Sequence, residues 1–265
     1  MNIVDRLDTF LLESSKRERK THYPSDVTAC VRQLAYKWNG YDETDPPTAG
    51  NIIKMRFGNL AEDILEDWLK WELANGTIES YDKESEVWGG DPDLEYPIHG
   101  YIDFVIHGQK GKYGIECKSS FGRGVKDVQM NGPKPEHVMQ VYMYMRFTDI
   151  KHFFLVYLGR DNGYRTQFEL TMDDAGDMYV GNAKQNVDWK SIIGRLRIAE
   201  QSVGDEILPD REFKAAVRDG EIVDKFVRQK QEYKSDWQCR YCNYRRECWQ
   251  DQIKGGVWYG ETEIV

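Results

Sequence analysis

Residues 99–118 read HGYIDFVIHGQKGKYGIECK, and the alternation of side chains along this stretch organises the reading of the whole chain. A hairpin turn centred between Gln109 and Lys110 sets Asp103 directly opposite Glu116, because cross-strand partners are equidistant from the turn centre. Alternation then puts Tyr101, Asp103, Glu116 and Lys118 on one face of the hairpin. The other face carries Ile102, Phe104, Ile106, Tyr113, Ile115 and Cys117, nearly all apolar and suited to burial. Two carboxylates placed opposite one another destabilise a strand pair; a divalent cation between them reverses that sign. Lys118, two residues beyond Glu116, projects toward the same spot. Hard oxygen donors in a partly open site suit Mg²⁺ or Mn²⁺. Such a cation polarises a phosphate oxygen and lowers the pKa of an attacking water. The lysine ammonium would position that water or stabilise charge developing on the phosphoryl group. The same residues also occur by chance on exposed hairpins, so the flanking sequence has to decide.

Two flanking helices point at the hairpin. Ala61, Ile64, Leu65, Trp68 and Leu69 mark an amphipathic helix over 58–73. Gly58 lies one turn before Glu62 on the same face, where a glycine permits close approach to the sheet while Glu62 reaches the cation. Pro133 and Pro135 suit the entry to a second helix, running to about residue 147. There His137, Gln140, Val141 and Tyr144 share one face, and Gln140 and Tyr144 are placed to hold the lysine or a DNA phosphate. The bland alternative is a solvated acid at Glu62 and a polar edge beside a buried stripe of Met139, Tyr142, Met143 and Met145.

Elsewhere the pattern predicts a helix over 1–20 and another over 25–38, with Ser25 or Asp26 as N-cap and Cys30 in its first turns. A strand-rich segment covers 84–119 and a loop 122–135. Two further strands flank Asp161-Asn162-Gly163, a hairpin signal. Residues 173–201 read as mostly helical, and 211–252 as helix followed by a cysteine-rich segment. Strands enclosed by helices predict an α/β (α+β) fold, one mixed central β-sheet flanked by helices. We expect a single domain over 1–265, with a catalytic core at about 51–172.

Cys239, Cys242 and Cys248 stand in the run CRYCNYRREC, and Cys30 is their distant partner. Four thiolates fit tetrahedral Zn²⁺ or a 4Fe–4S cluster equally well by ligand count. Zinc ribbons usually pair two C-x2-C knuckles, and Cys30 has no knuckle partner. Closing segments 23–38 and 236–250 on one metal group would restrict the unfolded chain. Arg240, Arg245 and Arg246 interleave with Tyr241, Tyr244 and Trp249, an arrangement suited either to stacking on single-stranded bases or to packing around the cluster. Cys117 falls on the apolar face of the hairpin and reads as core.

Five cysteines in 265 residues are too few and too uneven for a secreted disulfide framework. No apolar run is long enough to span a membrane, and residues 1–20 lack the apolar core of a signal peptide. An intracellular (cytoplasmic) protein of a prokaryotic or virus-infected cell is expected. The net charge of −9 argues mildly against general nucleic-acid binding, although a basic groove can sit on an acidic body.

Gly58-x-x-x-Glu62, Gly100-x-x-Asp103, Glu116-x-Lys118 and Gln140-x-x-x-Tyr144 occur in the order of the RecB-like branch of the PD-(D/E)xK nucleases. Cys30-x-Arg32 with Cys239, Cys242 and Cys248 resembles its cluster-bearing subgroup, which includes the CRISPR-associated adaptation nuclease, AddB-type nuclease domains and related viral exonucleases. The resemblance spans roughly 23–249. It implies a metal-dependent deoxyribonuclease, an exonuclease on single-stranded DNA or DNA ends, with Glu62, Asp103, Glu116 and the backbone carbonyl of Cys117 on Mg²⁺ or Mn²⁺. It further implies a 4Fe–4S cluster on the four cysteines, and DNA, with recombination or CRISPR-adaptation proteins, as partners. One departure stands out: the CRISPR-associated members usually carry His where this chain has Glu62. The competing readings are a non-catalytic DNA-binding module and a zinc-stabilised protein-interaction domain.

Overall fold

The structure is a computed structural model, and it describes residues 2–14, 21–204, 208–218, 221–228 and 231–250. In chain order the elements are α1 (Ile3–Ser14), α2 (Val31–Trp38), α3 (Ala49–Ala74), β1 (Ser80–Gly89), β2 (Ile98–Gly108), β3 (Gly111–Ser120), α4 (Gly124–Asn131) and α5 (Pro135–Phe147). There follow β4 (His152–Gly159), β5 (Arg165–Met172), β6 (Met178–Val180), β7 (Ala183–Lys184) and α6 (Trp189–Gln201). The short elements β8 (Ala216–Arg218), β9 (Glu221–Val223), β10 (Lys225–Arg228), β11 (Gln231–Lys234), α7 (Trp237–Arg240) and α8 (Arg245–Cys248) complete the series. Contacts group the chain into two compact units, one of Met1–Thr28 with Ala49–Ile193 and one of Ala29–Thr48 with Gly194–Val265.

The first unit is built on a seven-stranded sheet in the order β1-β2-β3-β4-β5-β6-β7. It is mixed: β3 and β4 run parallel, and every other neighbouring pair is antiparallel. A parallel pair cannot be joined by a tight turn, and α4 and α5 fill the crossover between β3 and β4. Pairing of Phe104 with Ile115 and of Gly108 with Gly111 centres the hairpin turn between Gln109 and Lys110, as expected. The strands around Asp161-Asn162-Gly163 also pair as expected, as β4 and β5.

Helices cover both faces of this sheet. On one, Leu69 of α3, fully buried, packs with Phe104, Ile106 and Ile115, and Leu65 adds to the cluster. Burying each such side chain contributes about 1.5–3 kcal/mol. Gly114, the neighbour of Ile115, points to the opposite face, where a Cβ would lie 2.2 Å from the Phe153 ring. Tyr144 of α5 stacks on that ring, with centroids 6.4 Å apart. Glycine at 114 therefore lets Phe153 sit flat on the strand. Gly58 has no such role, since a Cβ there would meet Ser119 Oγ at an ordinary 3.7 Å.

The second unit joins residues 29–48 to the C-terminal part of the chain. Tyr36 stacks on Tyr244, with centroids 5.2 Å apart. Asp45 accepts hydrogen bonds from Arg245 Nε at 2.7 Å and from the Arg246 N–H at 3.0 Å. Ala215, Val217 and Trp249 form its buried cluster, with Cys239 and Cys248 packed against it.

Several expected elements differ. The segment 25–38 begins as a 3-10 turn over Pro24–Asp26, and Cys30 is the N-cap of α2. The 122–135 loop contains α4, whose apolar anchors Val125 and Val128 are buried. Of 173–201 only α6 is an α-helix, because Gly176 and Gly181, both at positive φ, turn the preceding chain into β6 and β7. In place of the expected helix after residue 211 stand two short antiparallel strand pairs, β8 with β9 and β10 with β11; residues 219–220, 229–230, 251–252 and 15–20 lie outside the described residues. No helix among the described residues is long and apolar enough to cross a membrane.

Candidate active site

The ladder between β2 and β3 ends at Phe104 and Ile115. One position further, Asp103 Oδ2 accepts the main-chain N–H of Cys117 at 2.6 Å. The carboxylate thus occupies the gap where the strands part. Across it, Lys118 Nζ donates to Glu116 Oε1 at 2.6 Å and to Gln140 Oε1 at 2.9 Å. Gln140 Nε2 donates to Tyr144 Oη at 3.2 Å, and that hydroxyl donates to the Tyr101 carbonyl at 2.8 Å. One chain of hydrogen bonds runs from Glu116 through Lys118, Gln140 and Tyr144 back to the backbone of β2. The i, i+4 spacing of Gln140 and Tyr144 on α5 sets them in line.

Burial makes this chain electrostatically sharp. Glu116 is only 2% exposed, and its Oε2 has no hydrogen-bond partner among the described residues. An orphaned buried carboxylate oxygen is costly unless a cation meets it. Burial and the Glu116 charge push the Asp103 carboxyl well above its ordinary range. Glu62 of α3 is raised for the same two reasons. Burial alone would lower the Lys118 ammonium, but the Glu116 charge and hydrogen bond outweigh it and the pKa is raised. Tyr144 is pushed up by burial and by Glu116. His137, lowered to about 3 by burial and the nearby Lys118 charge, is a neutral ring bonded to Tyr157 Oη at 2.8 Å.

These shifts show Glu62, Asp103, Glu116 and Lys118 close enough for their charges to act on one another. Cys117 sits between them with its side chain buried, as the apolar face of the hairpin requires. Among the described residues, however, no three His, Cys, Asp or Glu side chains converge tightly enough to hold a metal ion by themselves. The donor chemistry fits a hard divalent cation: carboxylates only, one of them with a buried free oxygen.

The sequence reading missed Glu84. It lies between the pairs Lys83–Phe104 and Ser85–Ile102, hence beside Asp103. Its φ of 50° makes it the one described non-glycine residue in left-handed backbone. Its charge adds to those raising Glu62. Nothing in its local sequence, a polar strand edge, distinguishes it from Glu79 or Glu86.

The four other cysteines, Cys30, Cys239, Cys242 and Cys248, line one cavity in the second unit, together with Tyr36, Arg211 and Trp249. All are unpaired as disulfides. Burial, then the proximity of the other sulfurs, raises Cys239 to about 12. Burial raises Cys242 to about 11, against the Tyr244 N–H bonded to its sulfur. The donor set is four soft sulfurs, which suits Zn²⁺ or iron–sulfur. The aromatics of this segment divide: Tyr244 and Trp249 are buried, whereas Trp237 and Tyr241 stand exposed. The Arg211 guanidinium lies 4.4 Å over the Trp249 ring.

No family model and no curated protein matches the sequence. Among solved structures, the crystal structure of SSO0001 superposes with a TM-score of 0.51 at 18% identity, covering 92% of this chain and 95% of that one. The chain shares that fold. An alkaline exonuclease from Laribacter hongkongensis gives a TM-score of 0.43 at 15% identity, over 76% of this chain and 94% of its own. A phage-related exonuclease from Haemophilus somnus 129PT gives 0.42 at 14%, over 70% and 94%.

Proposed function

We propose that this chain is a metal-dependent DNA nuclease of the RecB-like PD-(D/E)xK type. The observation that carries the proposal is the Lys118 ammonium held between Glu116 and Gln140 beside a buried carboxylate oxygen with no partner. Glu62, Asp103, Glu116 and the Cys117 carbonyl are the groups that would hold Mg²⁺ or Mn²⁺. When bound, the cation supplies positive charge against the scissile phosphate and acidifies the attacking water.

The protein's own groups have defined tasks. Lys118, with its raised pKa, stays an ammonium at neutral pH and cannot serve as a general base. Two of its three N–H bonds go to Glu116 and Gln140. The third is free to hold the attacking water or a phosphoryl oxygen, where a positioned donor is worth on the order of 100-fold in rate. Gln140 and Tyr144 act through Lys118 by fixing its direction. Tyr144 remains a phenol and His137 a neutral imidazole, so neither adds charge to the site.

Cys30, Cys239, Cys242 and Cys248 would hold a 4Fe–4S cluster whose role is to fasten residues 29–48 to the C-terminal segment. Among the described residues the one carboxylate lining their cavity is Glu212, and no histidine lines it; Glu212 is engaged by the Val31 N–H and Arg195. The substrate is DNA, single-stranded or at ends, within recombination, repair or CRISPR-type processing. Incubating the anaerobically purified protein with Mg²⁺ or Mn²⁺ and end-labelled single- and double-stranded DNA tests this. Cleavage should appear with the cation and vanish with a chelator; DNA left intact in every cation condition overturns the proposal.

A further inference from the structure

Two residues before Asp103 on the same strand, an aromatic cluster opens to solvent. The rings of Trp88 and His99 stack with centroids 3.9 Å apart and planes 10° from parallel. They are direct cross-strand partners on β1 and β2. Tyr101 meets His99 edge-on at 5.0 Å. Trp88 remains 53% exposed and Tyr101 47% exposed, so one indole face is covered by imidazole and the other is open. Their neighbours Gly89 and Gly100 point at Phe147 and at Pro24 with Tyr144. By alternation the three rings project from the face that α5 does not cover, so Tyr101, contrary to the alternation expected along the hairpin, does not share the face from which Lys118 reaches Gln140 of α5.

The cluster is anchored rather than loose. Glu86 Oε1 holds His99 Nε2 at 3.0 Å, which fixes the imidazole beneath the indole. Tyr144 Oη fixes the Tyr101 backbone and links it to the Lys118 chain. A strand rises about 3.4 Å per residue, so Tyr101 stands about 7 Å along β2 from Asp103 and His99 about 14 Å. The acidic Glu86 beside the rings disfavours phosphate contact there, whereas the π-face of an uncharged base is accepted without penalty.

We propose that Trp88, His99 and Tyr101 form a base-stacking platform that takes unpaired nucleobases of the strand entering the Asp103–Glu116–Lys118 site. The inference rests on the nuclease reading above and narrows its substrate to DNA with unpaired bases next to the reacting phosphodiester. A cross-strand aromatic pair serving only to stabilise the sheet would have no influence on nucleic-acid binding.

The test is binding of the full chain, in EDTA, to a fluorescein-labelled dT12 and to an abasic oligomer of equal length, read by anisotropy. Trp88→Ala and Tyr101→Ala should each weaken dT12 binding about tenfold and leave the abasic oligomer unaffected. Trp88→Phe should keep most of the affinity and controls for folding. The platform is overturned if the unsubstituted chain does not bind dT12, if both alanine variants bind it undiminished, or if the abasic oligomer loses as much. Cleavage by the unsubstituted chain in Mn²⁺, measured separately, distinguishes the two readings. Cleavage with unchanged dT12 binding removes the platform alone; base-dependent binding with no cleavage removes the nuclease and keeps the platform.

Discussion

The main-chain N–H of Cys117 points at Asp103 Oδ2, 2.6 Å away, and not at a carbonyl of the neighbouring strand. A side chain has taken over a ladder position, and the two strands diverge beyond it. The opening collects carboxylates whose mutual repulsion the fold tolerates only because Lys118, and on our reading a cation, compensate for it.

Lys118→Ala should lower DNA cleavage at least about 100-fold. It should also destabilise the cation-free protein by about 3 kcal/mol, since removing one partner of a buried pair leaves Glu116 uncompensated. Melting curves with and without Mg²⁺ check the second half: added cation should recover much of the lost stability.

The raised carboxyls of Asp103 and Glu62 give a pH dependence of definite sign. A carboxyl whose pKa is higher folded than unfolded binds its proton more tightly in the native state. Its stabilisation is present at low pH and lost as pH rises from the ordinary carboxylate range through the folded pKa. In chelator, Tm should therefore fall as pH is raised from about 5 to about 8, through these groups. With Mg²⁺ that fall should shrink, because the deprotonated site is the one that binds the cation. A Tm in chelator that rises over this range, and that Glu62→Gln leaves rising, would contradict the assignment.

Glu84→Gly should raise the melting temperature of the cation-free protein. The left-handed φ of 50° costs a residue with a Cβ on the order of 1 kcal/mol, and glycine adopts it freely. The substitution also removes a charge that opposes Glu62. Differential scanning calorimetry in chelator reads the shift.

Cys248→Ala should lose iron and lower the melting temperature, whereas Cys117→Ser should retain iron. Iron and sulfide analysis of anaerobic preparations separates the two, and a colourless zinc-containing protein would replace the cluster proposal with a zinc site.

The parts of the fold legible in the sequence were those governed by short-range periodicity. The turn between Gln109 and Lys110 and the hairpin at Asp161-Asn162-Gly163 follow from local residues, and the structure has both registers. The Lys118–Gln140–Tyr144 chain was legible because i, i+4 positions on a helix converge. Illegible were features set by distant packing. Val125 and Val128 make a helix of an apparent loop by burying against the sheet, and Gly176 and Gly181 take a polar segment out of helix. Glu84 looks ordinary until three strands are laid side by side. Tyr244 and Trp249, grouped by sequence with the exposed Tyr241, are withdrawn into the second unit by Tyr36 and Val217.

The make-up of that second unit bears on how the protein is born. Residues 29–48 form one compact unit with 194–265 and bond to groups as late in the chain as Arg245, whereas the strands of the large sheet follow one another closely in the chain. At ribosomal speeds the early segment must wait roughly 10–40 s for those partners to be synthesised. Through that interval Cys30 is a thiol without Cys239, Cys242 and Cys248, while every strand of the large sheet has already been made. A metal group shared by Cys30 and Cys239, as proposed above, would load only after Cys239 has been made, and a translation product stopped short of that residue would have nothing on which to assemble one.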